Sequence, residues 1–348
     1  MNSSASASSA SRATRPILIA IALTALAIIL WKISDVVIVA FGGVVGAAVL
    51  RGLALPLARR TGWSERLSLS LVVSGLLLLF GLLGWLFGQQ VAAEADELQQ
   101  LLPQAIKKLG AALDHSSLGR AAVRAVRQAS GDSNTLTSVG LAAGTVFAGL
   151  TDAFLTLFLA IYFAFRPGEY VDGLVRLFPP HHRKRIKDAL QESGDALRRW
   201  LVAQLIAMGI VGVLVGATLG VLGMPLALLL GALAGILEFI PVAGAIAFSV
   251  PGILVAFTKG PTMALYVLLA YVVIQQIESN VIIPLLQRWA VRMPPALTLL
   301  SVLAGGVLLG AAGVVFATPL AVVIMTLTKS LYIEDTLEHG RSARTSAA

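Results

Sequence analysis

Apolar residues in this chain gather into long uncharged runs, and polar positions collect between them. A hydrocarbon core of about 30 Å needs roughly 20 apolar helical residues per crossing. Runs near or above that length cover residues 68–88, 139–165, 201–237, 239–258, 261–277 and 293–328, with shorter ones at 17–31 and 36–50. Unbroken runs, in place of ten-residue alternating segments, predict helices and not an outer-membrane barrel. The predicted fold class is all-α: a polytopic helical membrane protein.

Two of the runs are interrupted. In the first, residues 225–259, Glu238 lies near the middle beside Phe239 and Pro241, with Gly244 close by. Proline removes a backbone donor and glycine admits unusual angles, so the helix should break here. Backbone groups freed at a break must face protein or a watery cavity, never lipid. The second run, 295–329, aligns with the first at an offset of 70 without gaps, nine of 35 positions being identical. It carries Gly305, Gly306, Gly310, Gly313 and Pro319. Paired segments interrupted by glycine and proline in corresponding places are the expected pointer to a transporter's binding site.

Between them an apolar helix ends in Gln275, Gln276, Glu278 and Asn280, before Pro284, which is expected to stop it. Gln275 and Glu278 share one helical face, and Gln276 and Asn280 an adjacent one. Carboxylates at membrane depth are costly and are functional candidates by default. The predicted substrate or ion pathway therefore comprises Glu238, Phe239, Pro241, Gly244, Gln275, Gln276, Glu278, Asn280, Pro284, Gly305, Gly306, Gly310, Gly313 and Pro319.

Charge orients these elements. Arg51, Arg59, Arg60 and Arg66 follow the second run, and Arg166, Arg176, Arg183, Lys184, Arg185, Lys187, Arg198 and Arg199 follow the fourth; both groups are expected in the cytoplasm. If each interrupted segment crosses once, there are eight spans, with Arg288 and Arg292 outside. If each is a re-entrant hairpin, there are six spans, Arg288 and Arg292 are inside, and only Lys259 is outside. The hairpin arrangement is preferred, because it keeps two basic residues inside and each break sits near its segment's centre. Both place the two termini in the cytoplasm.

The expected organisation is a disordered cytoplasmic tail at 1–16, three transmembrane helices at 17–88, and an extracytoplasmic amphipathic arm at 89–138 broken near Pro103 and Gly110. A fourth span and a basic cytoplasmic loop follow at 139–199, then the transport core at 200–330 and a cytoplasmic tail at 331–348. The arm is expected either to lie on the surface or to dock on a neighbouring subunit. Gly212, Gly216 and Gly220, four apart, predict close helix packing in lipid, as do Gly42 with Gly46 and Gly140 with Gly144.

Composition then narrows the chemistry. Hydrophobic residues make up 57% and charged ones 13%, outside the range of a soluble domain. The net charge of +8 reports membrane orientation, so no nucleic-acid partner is expected. The chain has no cysteine, no H-E-x-x-H, no G-x-S-x-G and no P-loop, and its four histidines lie outside the predicted spans. No enzyme activity, cofactor, metal site or intrinsic ATP-driven pumping is expected. The partners are a small polar solute or ion and the lipid bilayer.

Four stretches carry a family resemblance: RRW at Arg198 to Trp200, EFIPVAG at Glu238 to Gly244, IQQIESNVIIP at Ile274 to Pro284, and PPALTLLSVLAGG running on to the ATPL that ends at Leu320. In order and spacing they resemble the autoinducer-2 exporter family of bacterial and archaeal permeases. The resemblance implies a multispan, oligomeric inner-membrane protein; some members are linked to export of the signal autoinducer-2 and others to sodium/proton antiport. Val242, Ala243 and Ala245 depart from the pattern of many relatives, which bears on substrate and not on fold. Secondary transport of a small polar solute, with proton coupling through Glu238 or Glu278, is the leading expectation. Cation/proton antiport is the second, and a regulatory or scaffolding membrane protein the alternative of another class.

Overall fold

The computed structural model describes residues 34–113, 154–241 and 243–332. The expectations for the two tails, the first span, the distal part of the arm and the start of the fourth span lie outside the described residues.

The first helix, α1 (Ser34–Thr61), runs well past the apolar stretch that ends at Leu50. Arg51, the first residue beyond that stretch, donates through its guanidinium to the Ala164 carbonyl at 3.2 Å and to Glu65 at 3.3 Å. After a short turn, α2 (Glu65–Leu113) continues for 49 residues, about 73 Å of helix. The helix runs without interruption across residue 88, and the break expected near Pro103 and Gly110 is not present. Lipid requires helix only as far as the headgroups, but good helix formers such as Ala, Leu, Gln and Glu carry it onward.

The next described helix, α3 (Phe154–Phe165), turns through 86° into α4 (Pro167–Arg176). Pro167 suits a first helical turn, and α4 is polar enough to lie along the surface, where Asp172 pairs with Lys187 at 2.7 Å. A short 3₁₀ turn (Pro180–His182) leads into α5 (Arg183–Val221), 39 residues long. The basic segment before residue 200, expected as a cytoplasmic loop, is largely helical: α4 and the first four turns of α5 carry most of its arginines and lysines.

The first interrupted segment is a hairpin of α6 (Ala227–Leu237) and α7 (Ala243–Lys259), broken where Pro241 and Gly244 predict. Its two ends meet, since Lys259 Nζ donates to the Gly223 carbonyl. Then α8 (Pro261–Ile277) crosses back, widens into a π turn (Glu278–Ile282) and continues as α9 (Ile283–Gln287). Pro284 thus does not stop the helix, contrary to expectation. The π turn loosens the preceding backbone, and Ser279 Oγ and Asn280 Nδ2 donate to the Gln275 and Gln276 carbonyls at 2.8 and 2.9 Å.

The second interrupted segment, α10 (Pro295–Thr328), folds back at Gly310, whose φ of 62° and ψ of −145° are open essentially to glycine alone. Along a straight helix Gly305 and Gly313 would be about 12 Å apart. In the fold they touch: a Cβ on Gly313 would overlap the Gly305 carbonyl. By length and composition α10 is one of five described helices able to cross a membrane, but folded at Gly310 it does not cross as one rod. Each interrupted segment is therefore doubled back on itself.

The two hairpins enter from opposite faces. Trp289, after α9, shares a cleft with Arg59, Arg198 and Arg199, which marks one face. The base of the first hairpin marks the other, where Glu94 of α2 accepts a hydrogen bond from the Leu229 amide at 2.9 Å. From Glu65 to Glu94 is about 44 Å of helix, the full bilayer with its headgroups. The core lies where α5, α6, α7 and α8 meet, around fully buried Val211, Val215, Leu219, Leu230, Val255 and Val267. Leu98 and Leu101 of α2 pack on it, so the described part of the arm docks on the hairpin of its own chain.

Leu229 is in the first turn of α6, where backbone donors lack helical partners and a carboxylate is favoured. Glu94→Ala should therefore cost about 1 kcal/mol, read as a lower midpoint of thermal unfolding in detergent, whereas Glu94→Gln, which keeps an acceptor oxygen, should lose less.

Candidate functional site

The break between α6 and α7 places Glu238 at the tip of the first hairpin. Local hydrogen bonds close the tip: Ile240 donates to the Leu237 carbonyl at 3.0 Å and Gly244 to the Ile240 carbonyl at 2.8 Å. Gly244 has no room for a side chain, because a Cβ would overlap the Leu237 carbonyl. The Glu238 carbonyl accepts from Gln204 Nε2 of α5 at 2.7 Å, which supplies a donor to a group released by the break.

The side chain of Glu238 is 4% exposed, and that of Glu278, at the start of the π turn, is 5% exposed. The two carboxyl groups lie within hydrogen-bonding reach of each other. Gln275 Nε2 donates to Glu278 Oε2 at 3.1 Å. Glu238 Oε2 has no hydrogen-bond partner among the described residues. An unsatisfied buried carboxyl oxygen costs at least about 1–3 kcal/mol, so its retention calls for an explanation.

Both carboxyls line a cavity of about 230 Å³ between the first hairpin's tip and the base of the second. One wall is α5, which presents Trp200, Ala203, Gln204 and Ala207 at i, i+3, i+4 and i+7; the alanines leave the space. The opposite wall holds Gln287, Thr298 and Thr318. Among the described residues no Lys, Arg or His lines the cavity, which is mostly apolar and carries two carboxyls.

Of the residues predicted from sequence, Glu238, Pro241 and Glu278 line this cavity, and Gln275 braces Glu278. Phe239 lies behind the wall, edge-on to Trp200 with ring centroids 6.3 Å apart. Gln276 and Asn280 are exposed on another face, and Asn280 serves the backbone of the π turn; Pro284 is exposed as well. Gly305, Gly310 and Gly313 shape the second hairpin, Gly306 approaches Val314, and Pro319 is fully buried; none of the five lines the cavity. The sequence reading missed Trp200, Gln204, Gln287, Thr298 and Thr318. Gln204 could have been found as the one strongly polar side chain within the 201–222 run.

The sequence from residue 17 to residue 333 matches the model of the AI-2E family transporter. YrrI of Bacillus subtilis (strain 168) is 32% identical over 151 residues, 43% of this chain and 43% of its own. MT0215 of Mycobacterium tuberculosis (strain CDC 1551 / Oshkosh) is 34% identical over 208 residues, 58% of this chain and 54% of its own. Both are provisionally named transport proteins, and the chain spans about half the length of the curated relatives it matches. With a family match over most of its length, on an all-helical membrane architecture, the chain belongs to the AI-2E transporter family.

Proposed function

We propose that the protein is a proton-coupled secondary transporter of a small polar solute that carries no negative charge, and that the cavity between the hairpins is its binding site. The observation that carries this reading is the pair Glu238 and Glu278, facing each other inside that cavity with one oxygen unpartnered. A carboxylate only accepts hydrogen bonds, so a bond between two carboxyls needs a proton on one of them. A proton leaving or entering the pair changes both its charge and its hydrogen bonds, which couples protonation to what the cavity holds. At 230 Å³ the space is below the usual range of drug-sized pockets, which suits a compact hydroxylated molecule such as autoinducer-2. Phosphorylated solutes are disfavoured, as among the described residues no cationic side chain lines the cavity.

Cation/proton antiport is the second reading, favoured by the same two acids. A test takes purified protein in vesicles with an internal pH dye, adding autoinducer-2 in one arm and Na⁺ in the other. A saturable pH change with autoinducer-2 supports solute transport, and one with Na⁺ supports antiport. Absence of any saturable response in either arm sinks both. The concentration of Arg51, Arg59, Arg60, Arg198, Arg199, Arg288 and Arg292 supports an inner-membrane protein with that face in the cytoplasm.

A further inference from the structure

The cleft that Trp289 shares with α1 and α5 has a composition that the transport site does not use. It encloses about 190 Å³ and is lined by Arg59 at the end of α1, Arg198 and Arg199 of α5, Trp289, and a floor of Gly52 and Val202. We propose that this cleft binds the phosphate of an anionic phospholipid from the leaflet at that face.

Charge comes first. Three arginines from two helices meet there, and among the described residues no carboxylate lines the cleft. Arg198 is engaged by Asp195 at 3.3 Å, and its stem lies across Gly52. Arg59 and Arg199 are exposed, and no ion pair joins either of them among the described residues. Two guanidinium groups thus present fork-shaped donors of the kind that grip phosphate.

Position comes second. Arg59 ends a transmembrane helix, and Arg199 sits where α5 enters its apolar run, so the cleft is at headgroup depth. Trp289 is 43% exposed beside the arginines, and an indole at that depth packs on glycerol and acyl carbons. Val202 and Gly52 add an apolar floor. A soluble anion would use the arginines and leave the indole and floor idle; a lipid uses all of them.

A neighbouring cleft of about 330 Å³, on the other side of α1, carries Arg51 and Arg66 and shares Leu55. There Glu65 neutralises Arg51, which makes it the weaker anion site and a good control.

The test reconstitutes the full chain in phosphatidylcholine vesicles holding brominated phosphatidylglycerol or brominated phosphatidylcholine at equal mole fraction. Quenching of Trp289 is read as the difference from Trp289→Phe, since the chain has five tryptophans. Brominated phosphatidylglycerol is expected to quench Trp289 at several-fold lower mole fraction than brominated phosphatidylcholine. Arg59→Gln/Arg199→Gln should shift that fraction upward by about fivefold per arginine, while Arg59→Lys/Arg199→Lys, which keeps the charge but loses the fork, should shift it less. Arg51→Gln/Arg66→Gln removes equal charge next door and should change little. Equal quenching by the two lipids overturns the proposal, as does an Arg51→Gln/Arg66→Gln shift as large as that of the cleft variant. Reversal of the quenching by millimolar inorganic phosphate overturns it too, by assigning the cleft to a soluble anion.

Discussion

Glu278→Gln is expected to abolish the pH dependence of solute flux in reconstituted vesicles and to weaken apparent solute affinity about 10- to 150-fold, with the fold retained. The affinity figure corresponds to losing one hydrogen bond to a charged group, about 1.5–3 kcal/mol. The fold should survive because glutamine fits the same space, still accepts from Gln275, and can donate to Glu238 without borrowing a proton. That last property separates the coupling from the packing. Glu238→Gln should act in the same direction, and the double variant should cost little more than either single change, because the two groups act as one unit. Unchanged pH-dependent flux in Glu238→Gln/Glu278→Gln would remove the carboxyl pair from the transport reading.

The second large effect belongs to the other hairpin. Gly313→Val should lower the thermal midpoint sharply and reduce the amount of folded protein recovered. A Cβ on Gly313 would overlap the Gly305 carbonyl and lie 2.6 Å from Leu309 Cβ, so the two arms of α10 must part. Overpacking against a rigid backbone costs about 1–3 kcal/mol for the first added carbon, and valine adds more. Thr298 and Thr318 stand on different arms, so parting them also distorts the cavity wall. Gly306→Ala is the matched control. Its Cβ would meet only Val314 Cγ2 at 3.0 Å, a side-chain end able to shift, and it should be nearly neutral. Equal loss in the two variants would contradict a tight contact confined to Gly305 and Gly313.

The hairpins were legible in the sequence because their breaks are chemical. Pro241 and Gly244 mark the first, and the offset of 70 carries Ile240, at the centre of that break, onto Gly310, the fold point of the second. Helix ends were less legible. Arginines show where a span leaves lipid, but α1, α2 and α5 run on past them, because nothing in Arg51, Gln89 or Arg199 ends a helix. The cavity wall was hardest to see. In lipid both the outward and inward faces of a span are apolar, so no periodicity singles out Trp200, Ala203, Gln204 and Ala207. Four polar residues near Asn280 were visible at once, and their helical spacing turns Gln275 and Glu278 inward and leaves Gln276 and Asn280 outside.

Glycine meets glycine where α5 and α6 touch: a Cβ on Gly231 would lie 2.7 Å from Gly216 Cα, and one on Gly235 would lie 3.3 Å from Gly212 Cα. Gly220, the third of the series, touches nothing within 4 Å. Such a surface fixes how near two helices stand but offers no knob to stop one gliding lengthwise along the other. The axial setting of the first hairpin on α5 then falls to the flanking side chains Val211, Val215, Leu219 and Leu230 and to polar fastenings near its two extremities, Glu94 to the Leu229 amide and Gln204 to the Glu238 carbonyl. One of those fastenings is anchored on the residue whose carboxyl faces the cavity, so the wall of the cavity also helps set where the hairpin rests.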